Sequence, residues 1–341
     1  MAVTIKDVAK LAGVSPSTVS RVCNNNPAIS RETQDRVRRA MKELGYELPT
    51  AAPEVPESLK TIAVILPPSD REAYENTFYL KAIRGISQIC NGRNVASTVV
   101  TGSNDMEILH SLRTLHRSGR VDGYILLYSK RNDFVVEYLC EQGLLYVIVG
   151  KAVELTAQTV CIDNDNLLAG REAADYLYKL GHRRIGYIGS KNDYLYTADR
   201  RAGYQLSLLL HELPVKPEYC VEMEGVHCAA VEKLERLLES PERPTAFVVS
   251  DDMLALSLER ACIQKGLRIP DDISIIAFNN SLYAQLASPQ LTAVDINSHL
   301  LGQEAANQLI NHMENPNLTT TKVVVPHAIV ERASCRRWED T

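Results

Sequence analysis

The sequence has no apolar run long enough to cross a membrane, and its first residues do not form a charged-then-apolar leader. Neither a membrane protein nor a secreted one is expected. It also lacks a C-x-x-C pair: eight cysteines are scattered over 341 residues, with no His/Cys group at zinc-ligand spacing. That pattern fits reduced, buried thiols in a cytoplasmic protein, with no metal site. The signatures of common enzymes are missing as well: G-x-G-x-x-G after the first strand, a P-loop, G-x-S-x-G and H-E-x-x-H. The adjacent Asp251 and Asp252 resemble a catalytic pair, yet neighbours at a helix start usually point apart. No catalysis and no cofactor are expected.

What is present is ordinary globular material, 45% apolar and 23% charged, enough for two or three domains. The net charge of −5 argues against nucleic acid until the chain is divided. Residues 1–49 hold eight Lys/Arg against five Asp/Glu, and the remainder 29 against 37. A small basic module on an acidic body confines attraction for DNA to that module.

Thr4 to Asn24 reads T-I-K-D-V-A-K-L-A-G-V-S-P-S-T-V-S-R-V-C-N. Thr4 with Asp7 three residues on is a capping-box-like start, and Val8, Ala9, Leu11 and Ala12 form one apolar face. Gly13 ends that helix where a positive φ is cheap, and Val14 plugs the space before the next. Ser15 caps a second helix with Pro16 at its first position. Val19 and Val22 turn inward, leaving Ser17, Thr18, Ser20, Arg21 and Asn24 outward. Short hydroxyls, one Arg and one Asn suit phosphates and base edges, so the pair reads as a helix-turn-helix with a recognition helix. A third helix starts at Ser30-Arg-Glu-Thr33 and runs through Val37, Met41 and Leu44.

Residues 47–60, E-L-P-T-A-A-P-E-V-P-E-S-L-K, form a Pro-rich boundary. From Thr61 strands and helices alternate. Strands are expected at 62–66, 95–100, 123–128 and 145–149, with helices at 79–93, 108–118 and 134–142. After Cys161 the order repeats: helices at 167–180, 200–211 and 253–265, strands at 185–188, near Val221, at 246–249 and at 274–277. A last helix, 299–313, and strand, 322–325, complete the body. Two such series predict an α/β body of two doubly wound parallel-sheet lobes, with ligands held beyond the strand C-termini.

D-V-A-x-x-A-G-V-S-x-x-T-V-S-R-V-x-N resembles the opening signature of the LacI/GalR family of bacterial transcription regulators. The likeness continues through Ile162-Asp163-Asn164, the run Leu177 to Gly189, Arg200 to Tyr204, Asp251 to Leu256 and Pro270 to Ile276. F-Y-L-K-A-I-R-G-I-S from Phe78, V-D-G-Y-I-L-L-Y-S from Val121, I-D-N-D-N from Ile162 and F-N-N-S-L from Phe278 are similar to the maltose-operon repressors of Gram-positive bacteria. The resemblance implies a headpiece at 1–49, a hinge or linker at 50–60 and a periplasmic-binding-protein-like body at 61–341. Within that body, one lobe is expected at about 61–160 plus 292–322 and the other at about 161–291 plus 323–341.

It further implies a homodimer on a pseudo-palindromic DNA operator, controlled by a small molecule between the lobes. Ser17 and Arg21 would face base edges, with Pro16 at a thymine methyl or the backbone. Ser15, Thr18, Ser20, Asn24, Ser30 and Thr33 would bond phosphates, with Thr4 beside them. A hinge helix normally wedges a Leu into the minor groove; here Val55 stands at that place between Pro53 and Pro56, as a smaller wedge or a plain spacer. Effector contacts are expected from Phe78, Tyr79, Tyr128, Asp163, Arg200, Asp251 and Asn279; Phe78, Tyr79, Tyr128 and Phe278 are each either core or platform, and Asp163 is a ligand contact, a helix cap or a hinge contact. One of Asp251 and Asp252 should face the cleft while the other caps the following helix. Maltose or a maltodextrin is the effector the narrower likeness implies. Other sugars, purines, amino acids, nucleosides or a phosphoprotein corepressor stay open, as does a ligand-binding module without regulation. His182 reads as a structural turn residue.

Overall fold

Side-chain caps and left-handed glycines delimit the helices at the N-terminus of the computed structural model, which describes residues 3–23, 29–46, 59–69, 76–152, 159–190, 194–223 and 229–339. The chain divides into two units between Leu59 and Lys60. In the first, α1 (Ile5–Ala12), α2 (Pro16–Cys23) and α3 (Arg31–Leu44) enclose Val8, Ala9, Ala12, Val19, Val22, Val37 and Ala40. The Asp7 carboxylate accepts from both the backbone N–H and the hydroxyl of Thr4, and these bonds hold it below the usual carboxylate range. Gly13 takes φ 64° and lets Val14 N–H bond Ala9 O. Ser15 Oγ accepts from Thr18 N–H, and Ser30 Oγ from Thr33 N–H.

The second unit contains two six-stranded sheets. In the first sheet, β1 (Thr61–Ile65) lies between β2 (Ala96–Val100) and β3 (Gly123–Leu126), followed outward by β4 (Tyr146–Val149), β5 (Val160–Asp163) and β11 (Lys322–Val324). The second runs in space β12 (Ala328–Val330), β10 (Thr292–Asp295), β9 (Ser274–Phe278), β8 (Ala246–Val249), β6 (Ile185–Gly189) and β7 (Cys220–Glu222). All pairings are parallel except β10 with β12. The central strands are Val/Ile/Ala runs buried along their length, as strands covered on both faces must be.

The helices α4 (Thr77–Gly92), α5 (Asp105–Ser118), α6 (Phe134–Glu141) and α12 (Ser298–Glu314) go with the first sheet. With the second go α7 (Asn166–Lys179), α8 (Leu195–Leu210), α9 (Ala229–Glu239), α10 (Asp252–Gln264) and the short α11 (Leu282–Leu286). Helices α4 and α12 pack closely, as do α7 and α8. In α8 and α7, a methyl on Gly203 would overlap Leu167 O, and one on Gly170 would overlap Arg200 O.

The strands move the expected lobe limits. Residues 161–163 and 322–324 belong to the first sheet, and 292–295 to the second. The chain therefore crosses between lobes at 164–165, 296–297 and 325–327. One buried side chain joins all three crossings: Asn164 Nδ2 donates to Ile296 O (3.1 Å) and to Val325 O (2.8 Å). The antiparallel β12, strand β10 and helices α9 and α11 are elements the pattern reading did not name. His182 is fully buried, bonded to Thr245 Oγ1 and Arg336 O under the C-terminal strap, which is a structural role.

Candidate functional site

In the headpiece, Ser15, Pro16, Ser17 and Arg21 are exposed, and Thr18 and Ser20 half-buried, on the side of α2 away from Val19 and Val22. Ser15 Oγ lies 2.8 Å from Ser17 Oγ and 2.9 Å from Thr18 Oγ1, so the three hydroxyls form one cluster that keeps a proton to offer a phosphate. Ser30 and Thr33 form a similar pair at 2.9 Å at the start of α3. Thr4 spends its hydroxyl on Asp7. Asn24 and Val55, like the linker from 47 to 58, lie outside the described residues.

In the body, a cleft of about 550 Å³, counting space open to solvent, lies between the lobes at the C-terminal ends of both sheets. Phe78, Tyr79, Tyr128, Asp163, Arg200, Asp251 and Asn279 all line it. Each lies at or just beyond a strand end or in the first two turns of a helix. Parallel strands end together there, and their last residues turn polar because no further strand covers them.

Arg200 is the centre of the second lobe's wall. It stands in the second turn of α8, not at its start, because the helix begins at Leu195. Its guanidinium carbon lies over the rings of Phe278 (4.2 Å to the centroid) and Tyr196 (4.9 Å). Nε donates to Asn166 Oδ1 at 2.9 Å and Nη1 to Ser250 O at 2.7 Å. Burial works against its charge, while Asp251 and Asp163 among its neighbours support it. Phe278 is fully buried, a platform for the Arg and not for a ligand.

Asp251 does both jobs that had been divided between two residues. Oδ1 caps α10 by accepting from Met253 N–H (2.8 Å), while Oδ2 accepts from Asn76 of the first lobe (3.2 Å) and Asn279 of the second (2.7 Å). Asp252 instead turns inward, where Oδ2 accepts from Ser281 N–H at 2.7 Å and Oδ1 has no hydrogen-bond partner among the described residues. Asn279 and Asn280 have φ of 87° and 48°, a left-handed pair that Asn tolerates better than most side chains. Asp163 closes the floor, accepting from Asn164 N–H and Asn166 Nδ2.

Further bonds join the rims: Lys81 Nζ to Asn280 O (2.9 Å), Leu195 N–H to Ser129 O (3.0 Å) and Lys151 to Asp199 (2.8 Å). Asn76, Asn166 and Tyr196 also line the cleft and escaped the sequence reading. Asn166 lay in plain view within I-D-N-D-N, but nothing in the string says that the second Asn turns inward.

Burial raises Asp163 and Asp252 to about 7. Both folded values lie above the unfolded carboxylate value, so the folded state holds their protons between about pH 4 and 7 while the unfolded chain releases them. The stability they contribute is complete below pH 4 and lost as pH rises through 7. Asp252→Asn, which keeps an acceptor for Ser281 N–H, should therefore gain on the wild type by on the order of 3 kcal/mol between pH 4.5 and 7.5. Urea denaturation at the two pH values measures this; a constant difference would mean that Asp252 is ionised throughout.

Residues 4–48 match the model of bacterial regulatory proteins of the lacI family, and 174–335 that of a periplasmic binding protein-like domain. The HTH-type transcriptional regulator MalR of Streptococcus pneumoniae is 33% identical over 97% of this chain and 100% of its own length. The chain belongs to the LacI family. A putative LacI transcriptional regulator from Bacillus cereus has the same fold, with TM-score 0.78 and 34% identity over 83% of this chain and 100% of that one. So has a CelR–cellobiose complex, at TM-score 0.73 and 28% identity over 98% and 100%. This LacI-family chain is a DNA-binding transcription regulator. Among its described residues no helix is long and apolar enough to cross a membrane.

Proposed function

We propose that this regulator is a cytoplasmic homodimeric repressor of carbohydrate-utilisation genes, that the interlobe cleft binds maltose or a short maltodextrin, and that it catalyses no reaction. The observation that carries the effector reading is Asp251, whose carboxylate joins Asn76 and Asn279 from opposite lobes inside the cleft. A polyhydroxyl ligand offers donors and acceptors to both amides, and the edge-to-face pair Phe78–Tyr79 presents apolar surface beside them. The full-length likeness to a MalR regulator and the fold shared with a cellobiose-bound relative support a disaccharide. Calorimetry against sugars, nucleobases and sugar phosphates, with a gel shift on operator DNA, tests it. If maltose and maltotriose neither bind nor move the gel-shift midpoint while another class does, the effector assignment fails.

The dimer reading rests on apolar residues at the cleft rim. The Lys81–Asn280 bond brings together chain segments carrying Leu80 and Leu282, 61% and 55% exposed. A second copy covering both would sense lobe closure and change the spacing of two recognition helices on a pseudo-palindromic site, linking ligand and DNA reciprocally. Ligand-induced release is the direction we assign.

On DNA, Arg21→Ala is expected to cost ~1–3 kcal/mol on the specific site and much less on random sequence. Equal losses on both would make Arg21 a phosphate contact only.

A further inference from the structure

Asn166 is the first residue of α7, 3% exposed, and its amide is bonded to two ionisable groups of opposite sign. Nδ2 donates to Asp163 Oδ1 at 2.9 Å, and Oδ1 accepts from Arg200 Nε at 2.9 Å. A carboxamide can do both; a carboxylate cannot donate to Asp163, and an apolar side chain can do neither. The rings of Phe278 and Tyr196 lie against the Arg200 guanidinium, and the bonds from Nε to Asn166 and from Nη1 to Ser250 O set its rotation.

This arrangement limits what Arg200 can offer a ligand. Carboxylates and phosphates are gripped by two parallel N–H groups of one guanidinium edge. Asn166 occupies Nε, closing the Nε–Nη2 edge, and Ser250 O draws on Nη1. Nη2 is the nitrogen that makes no hydrogen bond among the described residues. Among the described residues lining the cleft, Arg200 is also the single Lys or Arg, facing the carboxyls of Asp163 and Asp251.

We propose that Asn166 is a positioning residue which closes the side-on Nε–Nη2 fork of Arg200, so that the cleft selects uncharged hydroxyl-rich ligands over their phosphorylated or carboxylate counterparts. This rests on the reading of the cleft as the effector site and adds the charge class of the ligand. Removing the amide frees the Nε–Nη2 edge, and selectivity moves towards anions.

The test is calorimetry on the full-length protein with matched pairs: maltose and maltose 6′-phosphate, cellobiose and cellobionate, glucose and glucose 6-phosphate. The wild type is expected to prefer the neutral member. In Asn166→Ala the neutral-to-anion affinity ratio should fall by about tenfold or more, equivalent to about 1.4 kcal/mol. Asn166→Leu, isosteric and unable to bond Nε, should show the same fall, and it carries the test if the alanine variant does not fold.

A purely structural role would weaken both members alike and leave the ratio unchanged, which overturns the inference while the effector site stands. A wild type that binds the anionic member better overturns it too. Silence towards every pair overturns the sugar reading itself. A measurement without ligand judges the positioning separately: the Arg200 Nε–H NMR signal, assigned by its loss in Arg200→Lys, should exchange about tenfold faster or more in Asn166→Ala. Unchanged exchange would show that Asn166 does not hold the guanidinium.

Discussion

Gly203→Val is expected to destabilise the body by ~3 kcal/mol or more, the largest effect of any single substitution considered. A Cβ at this position of α8 would overlap Leu167 O and lie 2.7 Å from Arg171 N, both backbone atoms of α7. A flexible side chain could move aside; a helix backbone cannot without carrying its helix away. Valine adds two methyls and a stiff χ1 to the same clash. The contact is reciprocal, since Gly170 of α7 lies against Arg200 O, so separating the helices also displaces Arg200 from the cleft. Both denaturation midpoint and ligand affinity should fall together. Gly92→Ala is the control: nothing lies within 4 Å of a methyl there, and the change should be neutral or gain up to ~1 kcal/mol. A Gly203→Val chain that unfolds with the wild type would show that α7 and α8 do not touch through their backbones.

Arg200→Ala should weaken the saccharide effector by ~2–4 kcal/mol and cost stability besides. Arg200 is 3% exposed and packs against the rings of Phe278 and Tyr196. Its removal leaves Asn166 Oδ1 and Ser250 O without their donor, and each buried orphan costs about 1–3 kcal/mol. Arg200→Lys separates the two consequences. It keeps a cation but has neither the planar fork nor the stacking face, so it should fold better than the alanine variant and still bind poorly. Calorimetry and thermal melting with and without ligand read the two effects apart. Affinity within threefold of wild type in Arg200→Ala would remove Arg200 from the effector site.

Much of this was legible because it is local or follows a simple spatial rule. The headpiece depends on neighbours three or four residues apart: Thr4 with Asp7, Ser15 with Thr18, Gly13 at a positive φ. Strands buried on both faces announce themselves as short Val/Ile runs, and the strand-end rule together with the family likeness picked seven residues that line one cleft. Short or marginal elements were not legible. Strand β12 has three residues, too few for a period, and α8 begins a turn and a half before Arg200 because Leu195 packs inward. The sequence alone therefore determined the architecture, the recognition helix and the strand ends that supply the cleft. Only the tertiary structure decided the partners. Asn76 and Asp251 meet across 175 residues, and Asp251 and Asp252 part company because successive residues at a helix start face different sides. Asn166, Phe278 and Asn164 take their roles from groups that other strands and crossings bring to them, and no spacing along the chain encodes that meeting.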